Sequence, residues 1–222
     1  MNSNDLDTLR KSFAKAADIN GRDEFLNSAV LVPLILVHGE YHLIFQKRSK
    51  NISQPGEICF PGGRIDREID NNSLETALRE TDEEFGIKKE KISVLGRLNS
   101  VYSPVGLMVD GYLGVVDIKS LSEIQINHSE VEYIFSVPVS FFENKRPEKY
   151  HVQIKAHPYI TDENGKENVL LPSRQLKLPE VYSKAWGNST YGIYVYKYKE
   201  ETIWGLTARL IVDAIERIGY KY

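Results

Sequence analysis

Three glutamates in one short segment are the residues of this chain best suited to chemistry. Glu80, Glu83 and Glu84 come soon after a pair of glycines, Gly62 and Gly63. At about 100° per residue in a helix, Glu80 and Glu84 point roughly 40° apart, with Glu83 about 60° beyond Glu80. Carboxylates grouped on one side suit a hard divalent cation, Mg²⁺ or Mn²⁺, and such cations commonly serve phosphate chemistry. The segment therefore indicates a metal site.

The residues around these glutamates have the pattern of a single helix. Asn72 or Ser73 can cap its start, and Gly86 stands where a left-handed residue ends a helix. Arg79 lies four residues before Glu83 and can pair with it. The apolar face of the helix is formed by Leu74, Ala77, Leu78, Thr81 and Phe85.

A cluster of like charges destabilises a helix unless something neutralises it. Each like-charged pair four residues apart costs a few tenths of a kcal/mol, and crowded carboxylates raise one another's pKa. An acidic helix face is most often simply solvated, but the glycine pair, the arginine and the cap favour a metal site here. We expect Glu80 and Glu84 to lie beside the apolar face, so that the fold survives the neutralisation of either.

Residues 63 to 87 resemble the Nudix box, whose second half has the pattern Arg-Glu-apolar-x-Glu-Glu-x-Gly-apolar. The first half differs from the general pattern. Counted back from Arg79, the glycine of the box falls on Ile65 and its glutamate on Asn71. Gly63 lies two residues earlier, so the loop is longer, which is typical of the coenzyme A diphosphatase branch of this family.

Other segments of the chain carry the same resemblance. Residues 48 to 63 are similar to an upstream motif of that branch, with Gln54 where histidine is common. Residues 103 to 106, 130 to 138 and 203 to 208 resemble its Ser-x-x-Gly, Glu-Val…Phe-x-Val-Pro and Ile-Trp-Gly-x-Thr-Ala segments.

The resemblance implies a fold and a set of site residues. The expected class is α/β (α+β), a Nudix-type α/β/α sandwich with a mixed sheet and an inserted hairpin and loop. Mg²⁺ (or Mn²⁺) would be held by Glu80, Glu84 and the carbonyl of Gly63. Glu83, oriented by Arg79, would bind a second ion or act as the catalytic base, and Glu130 is a rival base. Contacts to the substrate are expected from Arg48, Glu57 and Ser103.

Three classes of function follow. The leading one is hydrolysis of coenzyme A or its thioesters to a 4′-phosphopantetheine part and adenosine 3′,5′-bisphosphate. The second is a Nudix enzyme acting on ADP-ribose, a dinucleotide or a nucleoside triphosphate. The third is a non-catalytic nucleotide-binding module, which loss of box glutamates would favour; none is lost here.

The 222 residues predict one domain, 1–222. Residues 1–27 are expected as a lead-in with a helix at 5–16, followed by a hairpin at 30–46. Strands are predicted at 91–102, 107–118 and 130–137, and helices at 140–144 and 203–218. Residues 145–190 are predicted as an insertion, in which 150–160 pairs with 169–171 and 172–190 forms a loop. An insertion near a pocket can alter its specificity or be a surface excursion.

Composition narrows the class of partner and the compartment. A net charge of −3 gives no electrostatic case for nucleic acid. The single cysteine, Cys59, cannot form an internal disulfide and is expected to be a small buried apolar residue. The first 25 residues lack the apolar core of a signal peptide, and the longest apolar run, 29–37, is too short to span a bilayer. These features predict a cytoplasmic enzyme that acts on a small molecule; they leave its oligomeric state open.

Overall fold

The computed structural model describes residues 19–219, and an eight-stranded mixed sheet forms its centre. The strands are β1 (Leu26–Val37), β2 (Glu40–Arg48), β3 (Ile58–Cys59), β4 (Gly62–Arg64), β5 (Ile92–Arg97), β6 (Val101–Ser103), β7 (Leu107–Val116) and β8 (Val131–Pro138). Their order is β3-β2-β1-β7-β5, with β4 paired to β1, β6 to β7 and β8 to β2. The pair β1–β7 is parallel and the others are antiparallel, so the sheet is mixed as predicted.

Helices cover both faces of this sheet. They are α1 (Ser73–Phe85), the short α2 (Val139–Asn144) and α3 (Gly205–Ile218). Successive side chains of β2 show the two layers: Ile44 packs in a cluster with Phe85 of α1, whereas Phe45 packs in a cluster with Ile211 of α3. The predicted α/β/α sandwich is therefore confirmed.

The insertion is organised differently from the prediction. Its strand β9 (Glu148–Ala156) pairs with β12 (Trp186–Tyr198), which continues into β13 (Glu201–Trp204). The predicted pairing of 150–160 with 169–171 is thus wrong for most of its length. A small hairpin of β10 (Tyr159–Thr161) and β11 (Glu167–Val169) forms around the predicted turn, inside an excursion of residues 157–185. The predicted loop 172–190 is shorter, because its last residues belong to β12.

Other boundaries shift by a few residues. The hairpin β1–β2 turns at His38 and Gly39, both at positive φ (49° and 87°). The lead-in ends earlier than residue 27, because β1 already begins at Leu26. Ile203 belongs to β13, so the last helix begins at Gly205. The helix predicted at 5–16 lies outside the described residues. No helix in the described range is long and apolar enough to cross a membrane.

Candidate active site

Helix α1 begins and ends as its sequence predicts. The side chain of Asn72 accepts hydrogen bonds from the backbone N–H groups of Leu74 and Glu75, which caps the start. Gly86 adopts the left-handed conformation (φ 66°) at the end. These local signals set the register of the helix, and the register sets where the glutamates point.

Asp70 is a site residue that the sequence analysis missed. Arg79 donates to both of its carboxylate oxygens, from Nε at 3.1 Å and Nη2 at 3.0 Å, and Thr76 Oγ1 donates at 2.8 Å. The hydrogen bonds from Arg79 hold the pKa of Asp70 below its usual range. Asp70 stands one residue before Asn71, where the box pattern places its glutamate. The lengthened loop shifts the acidic partner of Arg79 by one position.

Arg79 in turn organises two of the three glutamates. Its Nη1 lies 2.9 Å from Glu80 Oε1 and 3.0 Å from Glu83 Oε2. The predicted pair of Arg79 with Glu83 is present, and Glu80 shares the same guanidinium nitrogen. Glu83 is the exposed member, with its side chain 54% accessible, whereas Glu80 is 16% accessible.

Gly63 lies directly against the carboxylate of Glu80. A Cβ atom at Gly63 would come within 2.4 Å of the Glu80 carboxyl carbon. Only a residue without a side chain permits this approach. Burial, with the charges of Glu83 and Glu130, raises the pKa of Glu80, while Arg79 opposes the rise. Gly63 and Glu80, predicted to share a metal, are therefore brought together.

Glu84 is buried rather than beside the apolar face, which corrects the expectation for this residue. It is 2% exposed. Its Oε1 accepts from Gln46 Nε2 at 2.8 Å and its Oε2 from the backbone N–H of Gly62 at 2.9 Å. Burial, strengthened by the charges of Glu80 and Glu130, raises the pKa of Glu84 to about 7 despite these two donors. Gln46 was not identified from the sequence, because a lone glutamine in an apolar strand carries no recognisable signal.

Glu130 is distant in sequence but is held at the end of α1. The backbone N–H groups of Gln125 and Asn127 donate to the carbonyl oxygens of Phe85 and Glu84, at 3.0 and 2.9 Å. Asn127 O then accepts from the N–H of Glu130 at 3.0 Å. The charge of Glu130 contributes to the raised pKa values of both Glu80 and Glu84, so its carboxylate lies within electrostatic reach of them.

These carboxylates have the donor chemistry for a hard divalent cation. Two of them, Glu80 and Glu84, have raised pKa values through burial and the charges of neighbouring carboxylates, and a cation would relieve that repulsion. Within residues 19–219, no three acidic, imidazole or thiol groups already form a metal cluster. Glu80 is also held by an ion pair with Arg79.

Arg48 lies on the same side of the sheet as these carboxylates. It is two residues from Gln46 in β2, and side chains two apart share a face. Its guanidinium donates to Ser53 O (2.9 Å) and Ser53 Oγ (3.4 Å). Burial raises the pKa of the half-buried Glu57 carboxyl, and the charge of Arg48 opposes that rise. Arg48 and Glu57 are therefore neighbours, and their contact with a substrate stays a prediction.

Ser103 is not brought to the carboxylates. It ends β6, which β7 and β1 separate from β4. Its Oγ accepts from the N–H of Val105 in its own turn, at 3.4 Å. A contact from Ser103 to a substrate would have to be made by a part of that substrate remote from the glutamates.

Cys59 is half-buried in β3. Burial and the charge of Glu84 raise the pKa of its thiol to about 11, and Gln46 Nε2 lies 3.6 Å from its sulfur. A thiol with this pKa stays protonated at neutral pH and is a poor nucleophile. Cys59 was expected to be a small buried apolar residue, and it is buried only in part.

Comparison with known proteins places the chain in a family. The profile of the NUDIX domain matches residues 26–159. A relative from Caenorhabditis elegans, "Nudix hydrolase 3", is 38% identical over 122 residues, which cover 53% of this chain and 50% of that protein. The mouse "Peroxisomal coenzyme A diphosphatase NUDT7" is 33% identical over 164 residues, 72% of this chain and 65% of that protein. The human "Mitochondrial coenzyme A diphosphatase NUDT8" is 33% identical over 195 residues, 87% of this chain and 70% of that protein.

The chain belongs to the NUDIX domain family. The two relatives named as coenzyme A diphosphatases confirm the resemblance to that branch. The chain spans half to two-thirds of the length of the first two of these relatives.

Proposed function

We propose that this protein hydrolyses the diphosphate bond of coenzyme A or its thioesters with the help of Mg²⁺ or Mn²⁺. The observation that carries the proposal is the contact of two glycines with two carboxylates of α1: the N–H of Gly62 donates to Glu84, and Gly63 lies against the carboxylate of Glu80. Family relatives named as coenzyme A diphosphatases support the choice of substrate.

The chain's own residues have distinct parts in this reaction. A bound divalent cation would neutralise charge on the diphosphate oxygens. Glu80, Glu84 and the Gly63 carbonyl would hold it, and the Arg79–Asp70 ion pair would keep Glu80 and Glu83 in place.

Hydrolysis itself needs a base and a displaced group. Water attacks one phosphorus, the bridging P–O bond breaks, and the other phosphate leaves with the electron pair. The proton from water passes to a carboxylate. Glu83 and Glu130 are the candidates: Glu83 is exposed and paired with Arg79, and Glu130 lies within electrostatic reach of Glu80 and Glu84. Glu83→Gln and Glu130→Gln should differ at saturating Mn²⁺, because loss of the base lowers turnover by about 10²–10⁴-fold and loss of the other carboxylate does not.

A substrate screen tests the function. Purified protein with Mg²⁺ or Mn²⁺ is given coenzyme A, ADP-ribose, NADH and nucleoside triphosphates, and the products are separated by chromatography. We expect coenzyme A to be preferred, giving equal amounts of 4′-phosphopantetheine and adenosine 3′,5′-bisphosphate. Much faster turnover of ADP-ribose or a triphosphate would contradict the choice of coenzyme A and leave the broader Nudix activity.

Recognition of the 3′-phosphate refines the test. Arg48 is the proposed contact, because a guanidinium can bind two phosphate oxygens at once. Dephospho-coenzyme A should have a lower kcat/KM than coenzyme A, and Arg48→Ala should reduce the ratio between the two kcat/KM values. Lys47→Ala is the matched control: Lys47 is on the opposite face of β2, where its Nζ lies 3.2 Å from Tyr133 Oη. It should leave this ratio unchanged.

The compartment is part of the proposal. The single cysteine fits a reducing compartment such as the cytoplasm, whereas two relatives are named as peroxisomal and mitochondrial. Fractionation of the native host, followed by immunodetection of the protein, distinguishes the cytoplasm, the peroxisome and the mitochondrion.

A further inference from the structure

Gln46 is an amide completely enclosed beneath the candidate active site. It is 0% exposed and lies in β2, with Cys59 of β3 and Ile134 of β8 as its partners on either side. A buried polar group without a hydrogen bond costs about 1–3 kcal/mol. An apolar residue would avoid that cost at the centre of a sheet, so packing alone does not account for glutamine here.

The hydrogen bonds of Gln46 point to one partner. Nε2 donates to Glu84 Oε1 at 2.8 Å and lies 3.6 Å from Cys59 Sγ. Oε1 has no hydrogen-bond partner among the described residues. The amide therefore leaves its own acceptor unsatisfied while its donor is directed at the carboxylate.

Glu84 is held by two donors on two different oxygens. Gln46 binds Oε1, and the backbone N–H of Gly62 binds Oε2 at 2.9 Å. The donors come from separate strands, so together they define the plane of the carboxylate. Each carboxylate oxygen has about two acceptor sites, so one on each oxygen is still free for a cation.

We propose that Gln46 is a positioning residue, which holds the buried Glu84 carboxylate in the orientation needed to bind a divalent cation. This inference rests on the proposed function, because it assumes that Glu84 is a metal ligand. Its physical basis is the strand: the β2 backbone is paired with β3 on one side and β8 on the other, so the amide projects from a strand that is held on both sides. Without the amide, only the N–H of Gly62 would orient Glu84.

Direct metal binding to purified protein tests the inference. Mn²⁺ affinity is measured by electron paramagnetic resonance, without substrate, for the wild type and Gln46→Met, which keeps the length but removes the donor. Because residues that orient metal ligands are typically worth 10–100-fold in affinity, we expect a loss of about 10-fold or more. Turnover should fall at limiting Mn²⁺ and recover in part at high Mn²⁺.

A second variant and a control separate positioning from packing. Gln46→Asn retracts the same amide by about 1.5 Å; it should also weaken Mn²⁺ binding and serves if the methionine variant does not fold. Thr81→Val is the control, because Thr81 is equally buried on α1 but bonds only to Ala77 O within its own helix, at 2.6 Å. It should change stability and leave Mn²⁺ affinity within about 2-fold of wild type.

The outcomes are distinguishable. If the wild type binds Mn²⁺ and a folded Gln46 variant binds it equally well, Gln46 is a packing residue and the inference is wrong while the function stands. If Thr81→Val weakens binding as much as Gln46→Met, the effect is general destabilisation and the inference also fails. A wild type that neither binds Mn²⁺ nor hydrolyses coenzyme A overturns both.

Discussion

Substitution by alanine should affect activity at Gly63 and stability at Gly62. At Gly63, the three atoms nearest to an added Cβ all belong to the Glu80 carboxyl group, at 2.4 to 2.6 Å. At Gly62, where φ is 153°, the added Cβ would lie 2.3 Å from Ala29 O and 2.7 Å from Val30 Cα. The first obstacle is the end of a flexible side chain, and the second is backbone.

Gly63→Ala should fold and lose activity. An ordinary contact distance requires the Glu80 carboxylate to move by about 1 Å, and a displacement of that size at a catalytic group costs about 100-fold in rate. Stability should change by less than about 1 kcal/mol, because alanine also restricts the unfolded chain. Gly62→Ala should instead lower the free energy of unfolding by about 3 kcal/mol or more, since the backbone of β1 cannot give way.

Urea unfolding, Mn²⁺ binding and coenzyme A hydrolysis of both variants check this pair. Gly63→Ala should show a near-normal unfolding midpoint, weakened Mn²⁺ binding and low turnover. If it instead keeps wild-type affinity and rate, the close approach of Glu80 has no bearing on metal binding. If it unfolds as readily as Gly62→Ala, the side chain of Glu80 is not the group that yields.

Three further perturbations test other parts of the structure. Folding raises the pKa of Glu84 from its ordinary value of 4.5 to about 7. Between these two pH values the metal-free folded state keeps a proton that the unfolded state has lost. The free energy of unfolding should therefore fall by about 3 kcal/mol as the pH rises from 4.5 to about 7. Urea unfolding in the presence of chelator, at about pH 5 and about pH 8, should show this loss of stability in the wild type and in Glu83→Gln but not in Glu84→Gln. If Glu84→Gln loses as much stability as the wild type, the proton is bound by another group. Asp70→Ala should lower the free energy of unfolding by about 2–3 kcal/mol at neutral pH, because Arg79 loses a buried carboxylate to which it donates two hydrogen bonds. A decrease of less than about 0.5 kcal/mol in urea unfolding would show that this ion pair contributes little to stability. Replacing residues 157–185 with Asn-Gly should preserve the fold and the metal dependence of activity, because the residues that flank the excursion are already partners across β9 and β12. Gel filtration and circular dichroism check that the variant is folded. An insoluble or unfolded product would show that the excursion belongs to the core.

The elements that could be predicted from sequence are those whose causes are local. Asn72 and Gly86 bound α1 because a cap and a left-handed residue act within one turn. The turn at His38 and Gly39 follows from the preference of a tight hairpin for positive φ. The Nudix fold itself came from several short motifs taken together, rather than from periodicity.

Strand pairing in the insertion needed the tertiary structure. Residues 150–156 have a strand-like pattern, but nothing in that pattern identifies the partner strand. The nearer segment 169–171 was the simpler choice, yet β9 pairs with the more distant β12 over a longer register. Register depends on which partner offers more ladder hydrogen bonds and a matching face, and that information lies outside the strand.

The position of Glu80, Glu83 and Glu84 on one side of a helix can be predicted from the sequence alone, because helical periodicity acts on neighbouring residues. The surroundings of each glutamate follow from the packing of distant segments. Glu84 is buried because α1 packs against β1 and β4, and the fold brings Nε2 of Gln46 in β2 within 2.8 Å of its Oε1. Asp70 reaches Arg79 through the lengthened loop, and Glu130 is carried in by backbone hydrogen bonds at the end of the helix. Burial and charge at a carboxylate depend on everything packed around it, so the pKa and orientation of these groups follow from the assembled fold.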